Sequence, residues 1–150
     1  MKIRKATLED IPTLGELRKL QLIDEGYAPD GDMDAELSAF FHKHMAAGSM
    51  VEWVAEEAGE IIATGAVVFY DLPPAFFDPV SIRGYVTNMY TAPAHRGQGI
   101  ATRMLELVRQ EAVARRAGLM WLGASKLGRP VYEKFGFRED NSWLVMHNGD

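Results

Sequence analysis

The spacing of apolar residues divides the chain into helical and extended segments. Ile11, Leu14, Leu17 and Leu20 recur at helical spacing, and the strand-like runs on either side of residues 57–59 indicate a β-hairpin. In chain order, the pattern predicts a strand at 2–5, helices at 7–23 and 35–46, strands at 50–56, 60–70 and 82–91, a helix at 97–117, a strand at 119–123, a helix at 126–135 and a strand at 142–146.

The order of these elements limits the topology. A strand, a long helix and a second strand follow one another at 82–91, 97–117 and 119–123. Such a crossover is right-handed and joins parallel strands, whereas the hairpin requires antiparallel ones. No repeat or linker interrupts residues 1–150, so we expect one α/β domain with a mixed sheet.

Composition and charge exclude several classes of protein. The formal net charge of −5 argues against general nucleic-acid binding but suits a cationic substrate. No apolar run reaches the roughly 18 residues that a membrane-spanning helix requires, so no membrane partner is expected. The chain has no cysteine, which excludes disulfides and thiolate chemistry and fits a cytoplasmic location.

A glycine-rich turn lies between the strand at 82–91 and the long helix. Gly97, Gly99 and Ala101 leave the backbone open to an anion, the first helical amides lack internal partners, and Arg96 adds a positive charge. Thr102 stands where a dinucleotide fingerprint needs glycine or alanine, and the chain has no P-loop string. The turn therefore predicts a diphosphate site, the alternative being that the glycines only shape the turn.

Two motifs in the expected order resemble the GCN5-related N-acetyltransferases. The string Arg-Gly-Gln-Gly-Ile-Ala at 96–101 matches the family's R/Q-x-x-G-x-G/A motif, and Val-Tyr-Glu-Lys-Phe-Gly-Phe at 131–137 is similar to its L-Y-E-K-x-G-F. The segments 3–7 and 88–91 also resemble the family. The resemblance implies the acyl-CoA N-acyltransferase fold: a single mixed, mostly antiparallel sheet with helices on both faces and parallel fourth and fifth strands that splay apart.

The resemblance also implies the cofactor and its contacts. In this family acetyl-CoA lies between the splayed strands, and no metal is needed. Tyr132 would be the general acid that protonates the departing thiolate. Ser125 stands where many relatives carry asparagine, and Arg103 or Arg129 could meet phosphates. The cofactor-binding residues implied are Met89, Tyr90, Thr91, Arg96, Gly97, Gln98, Gly99, Ile100, Ala101, Thr102, Ser125 and Tyr132.

The general base is not evident from the sequence. Some relatives use a glutamate on the fourth strand, but residues 84–90 contain no acid. Our hypothesis is that a water molecule, relayed by Asn88, Tyr85 or a loop carboxylate, removes the proton of the amine. The predicted catalytic residues are therefore Tyr132 and Asn88.

An acidic segment after the first helix has two interpretations. Six acids fall between 24 and 36 with no Lys or Arg among them: Asp24, Glu25, Asp30, Asp32, Asp34 and Glu36. They form either a solvated acidic face or the rim of a site for a cationic amine. Ala35 and Phe41 break the calcium-loop pattern, so no metal is expected. The predicted substrate residues are Glu25, Tyr27, Asp30 and Tyr85.

These observations predict an N-acetyltransferase that moves the acetyl group of acetyl-CoA to a primary amine by direct attack in a ternary complex. The alternatives are a non-catalytic acyl-CoA-binding sensor and a transferase of another acyl group. Trp143, Leu144 and Val145 in the predicted last strand form either core or the interface of a homodimer.

Overall fold

The computed structural model of the chain describes residues 1–149. Its helices and strands follow nearly the order that the sequence predicts. The strands are β1 (Lys2–Lys5), β2 (Met50–Glu57), β3 (Glu60–Asp71), β4 (Ile82–Thr91) and β5 (Ala117–Trp121). The helices are α1 (Ile11–Asp24), α2 (Asp34–Ala47), α3 (Ile100–Ala114) and α4 (Arg129–Phe135). Single 3₁₀ turns at Leu8–Asp10 and Pro93–His95 precede α1 and α3.

The strands form one mixed sheet in the order β1-β2-β3-β4-β5. All neighbours are antiparallel except β4 and β5, which are parallel. The β4/β5 pairing stops at Tyr85 and Trp121, although β4 continues to Thr91. The predicted mixed sheet with a parallel splay is therefore confirmed.

Helices cover both faces of the sheet, as predicted. On one face, Leu14 of α1 and Phe41 of α2 pack against Val54 and its neighbours in the sheet. On the other face, Leu105 and Val108 of α3 pack against the opposite sides of the same strands. Burial of each such side chain contributes about 1.5–3 kcal/mol, so two apolar layers fix the helices against the sheet.

A β-bulge interrupts β4 just beyond its pairing with β5. Thr64 pairs with Tyr90 and Ala66 with Thr87, so β4 carries one extra residue opposite β3. Asn88 lies in the bulge with φ +53°, a left-handed conformation that asparagine tolerates better than most residues. Because bulges bend a strand, the segment from Met89 onward leaves the regular course of β4.

Four predicted elements have boundaries that differ by more than one residue from the structure. The helix predicted at 7–23 begins only at Ile11, because a 3₁₀ turn at Leu8–Asp10 precedes it. The helix predicted at 97–117 spans only Ile100–Ala114, because Gly97 and Gly99 have positive φ angles that an α-helix does not contain. The strand after it is Ala117–Trp121 rather than 119–123, since the helix ends earlier. The helix predicted at 126–135 begins only at Arg129.

The strand predicted at 142–146 is absent from the described part of the chain. Ser142 donates its backbone N–H to Asp140 Oδ1 at 2.9 Å, a local turn that competes with strand pairing. Leu144 and Val145 are 99% and 78% exposed, so this segment contributes no core. Across residues 1–149, the structure contains no helix both long and apolar enough to span a membrane.

Candidate active site

A cleft of about 260 Å³ opens where β4 and β5 part. Its walls come from the end of β4, the glycine turn, the first turn of α3, the segment leading into α4, and the last turns of α1. Eleven of the twelve predicted cofactor-binding residues line it: Met89, Tyr90, Thr91, Arg96, Gly97, Gly99, Ile100, Ala101, Thr102, Ser125 and Tyr132. Gln98 is exposed and does not line the cleft.

Glycine suits the turn because of its backbone conformation and because it leaves the backbone open to a ligand. It is not required by close packing against other residues. Gly97 and Gly99 have φ angles of +78° and +79°, which residues with a Cβ adopt at a cost. A Cβ built on either would meet no atom within 4 Å, because both face open space. The first amides of α3, from Ile100 onward, lack helical partners and carry the positive end of the helix dipole. The turn therefore fits a diphosphate group.

Arg96 ties the turn to two other elements. Its Nε donates to the backbone oxygen of Thr91 at 2.9 Å, and its Nη2 pairs with Asp24 Oδ2 at 2.7 Å. Its guanidinium also lies 5.8 Å from the centroid of the Tyr90 ring. Protein groups thus hold Arg96 in place, so it orients the turn as well as adding charge beside it.

Tyr132 projects into the cleft from α4. Its ring packs on Gly128, where an added Cβ would lie 2.7 Å from Tyr132 Cε2. Ser125 Oγ accepts the N–H of Gly128 at 3.1 Å and so fixes the start of α4, while its own O–H stays available to a ligand. Burial, followed by the charges of Glu25 and Tyr85, raises the pKa of Tyr132 to about 12. The hydroxyl is therefore protonated at neutral pH.

The predicted substrate residues separate in the structure. Glu25 lines the cleft, whereas Tyr27 and Asp30 are exposed outside it. Tyr85 lies against Trp121 with a ring-centroid distance of 4.5 Å, near enough to Tyr132 to affect its pKa.

The acidic segment is divided between the cleft and the start of α2. Asp34 pairs with Lys19 at 2.7 Å, and Asp32 Oδ1 accepts the backbone N–H of Asp34 at 2.9 Å. Asp24 and Glu25 are its only members that line the cleft walls described. Across residues 1–149, no group of three or more His, Asp or Glu residues is arranged to hold a metal ion.

Asn88 is buried, with 5% of its surface exposed, and it does not line the cleft. Its side chain faces Glu52 of β2, whose Oε1 also accepts the Thr64 hydroxyl at 2.7 Å. Burial raises the pKa of Glu52 to about 7, against the opposing effects of the Thr64 hydrogen bond and of the nearby Asn88 amide. The catalytic role of Asn88 stays a prediction, but its side chain is directed to this buried carboxyl.

Sequence reasoning missed several cleft residues, of which Gln21 is the most informative. It occupies a buried position in register with Ile11, Leu14 and Leu17, where the helical period calls for an apolar side chain. A polar residue at such a position was the available signal. His95, Leu127, Gly128 and Val131 also line the cleft. Their contribution depends on how the turn and α4 approach one another, which no local pattern encodes.

Comparison with known proteins agrees with this geometry. The Acetyltransferase (GNAT) domain family matches residues 50–139. A predicted acetyltransferase from Clostridium acetobutylicum, solved with acetyl-CoA, is 48% identical, with 97% of this chain and 95% of that chain covered and a TM-score of 0.94. Comparison with curated proteins finds no match.

Two more distant structures share the fold. A GCN5-related N-acetyltransferase from Ralstonia eutropha JMP134 is 24% identical over 99% of both chains, with a TM-score of 0.88. Glucosamine-6-phosphate N-acetyltransferase from Arabidopsis thaliana is 21% identical over 97% of both chains, with a TM-score of 0.73. Since the family matches more than half of the chain and the Clostridium protein is 48% identical over nearly all of it, this chain belongs to the GCN5-related acetyltransferase (GNAT) family.

Proposed function

We propose that the protein is an N-acetyltransferase that moves the acetyl group of acetyl-CoA to a primary amine within a ternary complex. The observation that carries the proposal is that one cleft joins an anion-binding turn to a protonated tyrosine. The Clostridium acetobutylicum relative, which was solved with acetyl-CoA, supports the choice of donor.

The cleft residues divide into those that bind the donor and those that serve the reaction. The amides of the turn and of the first turn of α3 would bind the diphosphate, and the backbone of Met89–Thr91 would pair with the pantetheine arm. Acetyl-CoA supplies an acetyl group activated as a thioester. The hydroxyl of Tyr132 would donate its proton to the sulfur that leaves, because it stays protonated throughout the neutral range.

The acceptor side of the cleft favours a cationic amine. The end of α1 contributes Asp24 and Glu25 to the cleft, and Arg96 compensates the charge of Asp24. A negative charge on Glu25 attracts an ammonium group, which is the resting form of a primary amine at neutral pH. This supports an acceptor such as a polyamine, an amino-terminal group or an amino sugar.

Amine-dependent release of free thiol from acetyl-CoA tests the proposal. We would assay a panel of polyamines, amino acids, aminoglycosides and peptides, and measure the acetylated product by mass spectrometry. We expect at least one acceptor to yield thiol and N-acetyl product in equal amounts. Binding of acetyl-CoA in calorimetry without turnover on any acceptor would overturn the proposal in favour of an acyl-CoA sensor. Turnover with a longer acyl-CoA alone would instead assign another acyl group.

A further inference from the structure

The residue that follows α1 brings a carboxylate into the cleft that contains Tyr132. Gln21 and Glu25 both line this cleft, and Gln21 Nε2 donates a hydrogen bond to Glu25 Oε1 at 3.2 Å. Because a carboxylate only accepts hydrogen bonds, the nitrogen of the Gln21 amide has to face Glu25. Gln21 is 8% exposed, so a buried side chain holds one oxygen of a carboxylate that faces solvent.

Glu25 differs electrostatically from its neighbour Asp24. Asp24 forms an ion pair with Arg96 at 2.7 Å. None of the ion pairs formed among residues 1–149 includes Glu25. Glu25 is therefore the cleft carboxylate that is free to interact with an incoming amine.

Glu25 also interacts with Tyr132 through space. After burial, its charge is the second cause of the raised pKa of the Tyr132 hydroxyl. The two side chains line the same cleft, so the carboxylate and the hydroxyl face the same space.

We propose that Glu25 accepts the proton released by the attacking amine and that Gln21 is the positioning residue that holds Glu25 for this task. The inference rests on the proposed acetyltransferase function and deepens it. The ammonium first loses one proton to solvent, which leaves the neutral amine that can attack. When the nitrogen–carbon bond forms, the amine nitrogen gives up a second proton, which Glu25 takes. When the carbon–sulfur bond breaks, its electron pair leaves with sulfur, which takes a proton from Tyr132. Solvent then returns the proton from Glu25 to Tyr132, so the net release is the one proton that the ammonium lost before attack.

The two proton transfers are coupled by electrostatics. An ionised Glu25 disfavours the phenolate of Tyr132 because like charges repel. Once Glu25 has accepted a proton, that repulsion is gone, and Tyr132 becomes a stronger acid just when the thiolate departs. The Glu25 carboxylate thereby accepts the proton of the amine and also makes the Tyr132 hydroxyl more acidic.

The activity test compares the same substitution at two glutamates, Glu25 directly after α1 and Glu16 within α1. We expect Glu25→Gln to lower kcat by about 100-fold at pH 7. The loss should shrink as pH rises, since solvent then takes over the proton. The Kd of this variant for acetyl-CoA should stay within about twofold. Glu16→Gln is the matched control, because Glu16 is exposed on α1 and pairs with Lys19 outside the cleft. Its kinetics should equal those of the unmodified protein.

A double-mutant cycle tests the positioning role of Gln21. We expect Gln21→Met, which keeps the side-chain volume, to lower kcat by about 10-fold through loss of one charge-assisted hydrogen bond. The same change in the Glu25→Gln background should have no further effect, because the group being positioned is gone. An equal loss in both backgrounds would show that Gln21 acts only on the structure and would overturn its assigned role.

A titration independent of turnover tests the coupling. In ¹³C NMR spectra of ring-labelled tyrosine, the Tyr132 signal of Glu25→Gln should begin to titrate at lower pH than in the unmodified protein or in Glu16→Gln. Unchanged titration together with unchanged kcat would overturn the inference while leaving the acetyltransferase function intact. If the unmodified protein acetylates no amine of the panel, the proposed function itself is wrong.

Discussion

Tyr132 illustrates how a single side chain acquires its chemistry from its surroundings. Gly128 leaves room for its ring, and the burial that results raises its pKa to about 12. A group with that pKa is a weak acid but is fully protonated under assay conditions. The proton that Tyr132 would donate in the proposed reaction is therefore present throughout the neutral range.

We expect Tyr132→Phe to lower kcat by about 100-fold while the Kd for acetyl-CoA changes less than about twofold, because only a proton is lost. Because the pKa of Tyr132 is raised, its hydroxyl should stay protonated between pH 7 and pH 10. The rate of the unmodified enzyme should therefore not fall in this range through ionisation of Tyr132. Steady-state kinetics and calorimetry measure the two quantities. Tyr70→Phe removes a hydroxyl that binds Trp121 outside the cleft and should leave both unchanged. A weakened Kd with unchanged kcat would assign Tyr132 to binding alone.

Glu52 makes the stability of the protein depend on pH. Its pKa is raised from 4.5 to about 7, so the folded chain binds more protons than the unfolded chain between these values. Its contribution to stability is fully present below about pH 4.5 and is lost as pH rises through 7. The charges of Arg18 and Asp10 also act on it, with opposite signs.

We expect Glu52→Gln to become more stable relative to the unmodified protein by about 3 kcal/mol between pH 4.5 and pH 8, because it lacks this titration. Urea unfolding at the two pH values measures the difference. Glu60→Gln changes an exposed glutamate on the adjacent strand and should show no such trend. A Glu52→Gln difference that is the same at both pH values would contradict the buried titration.

At the scale of elements, the junction of β4 and α3 forms the cofactor side of the cleft. The bulge at Asn88 bends β4 just beyond the point where its pairing with β5 ends. The glycine turn then directs the first residues of α3 toward the opening between these two strands. Arg96 fastens this junction to the end of α1. One ion pair thus joins the two sides of the cleft that we propose bind the cofactor and the acceptor.

We expect Gly99→Ala to weaken acetyl-CoA binding by about 10-fold, or ~1.4 kcal/mol, because the new Cβ enters the space that a diphosphate needs. Gly59→Ala is a close control: its φ of +81° matches that of Gly99, and its Cβ would also meet nothing within 4 Å, but it lies in the β2–β3 hairpin. Both variants should lose similar stability, about 1 kcal/mol, in thermal unfolding. Equal Kd values by calorimetry would show that the turn does not approach the cofactor.

At the scale of the whole molecule, the described C-terminal segment leaves apolar surface uncovered. Leu144 and Val145 are almost fully exposed, and β5 lies at the edge of the sheet with one side unpaired. Exposed apolar runs beside an open strand edge favour association between chains. The sequence left two interpretations of this segment, core or the interface of a homodimer, and a homodimer would use it.

We expect the unmodified protein to self-associate and the double variant Leu144→Ser, Val145→Ser to sediment as a monomer. The free energy of unfolding of the variant monomer should change by less than about 0.5 kcal/mol, because neither side chain is packed within the chain. Phe76→Ser, in an exposed loop, tests whether removal of any exposed apolar group has the same effect. A monomeric unmodified protein at high concentration would contradict this expectation.

The sequence by itself determined the glycine turn that we propose binds the cofactor. Gly97, Gly99 and Arg96 lie within four consecutive residues, so the conformation of the turn is encoded locally. Tyr132 is distant in sequence, yet its motif identified it together with the family. The fold followed as well, because alternating helices and strands with one crossover allow few arrangements.

Only the tertiary structure decided which acids line the cleft. Glu25 is one of six acids between residues 24 and 36, and the approach of α1 to β4 separated it from Asp30 and Asp34. Gln21 and Glu52 are buried, and their burial depends on residues far away in the chain. The strand predicted at 142–146 is absent for a related reason: strand propensity is local, but a strand forms only if the chain pairs with a neighbouring edge, and a turn at Asp140 and Ser142 competes with that pairing.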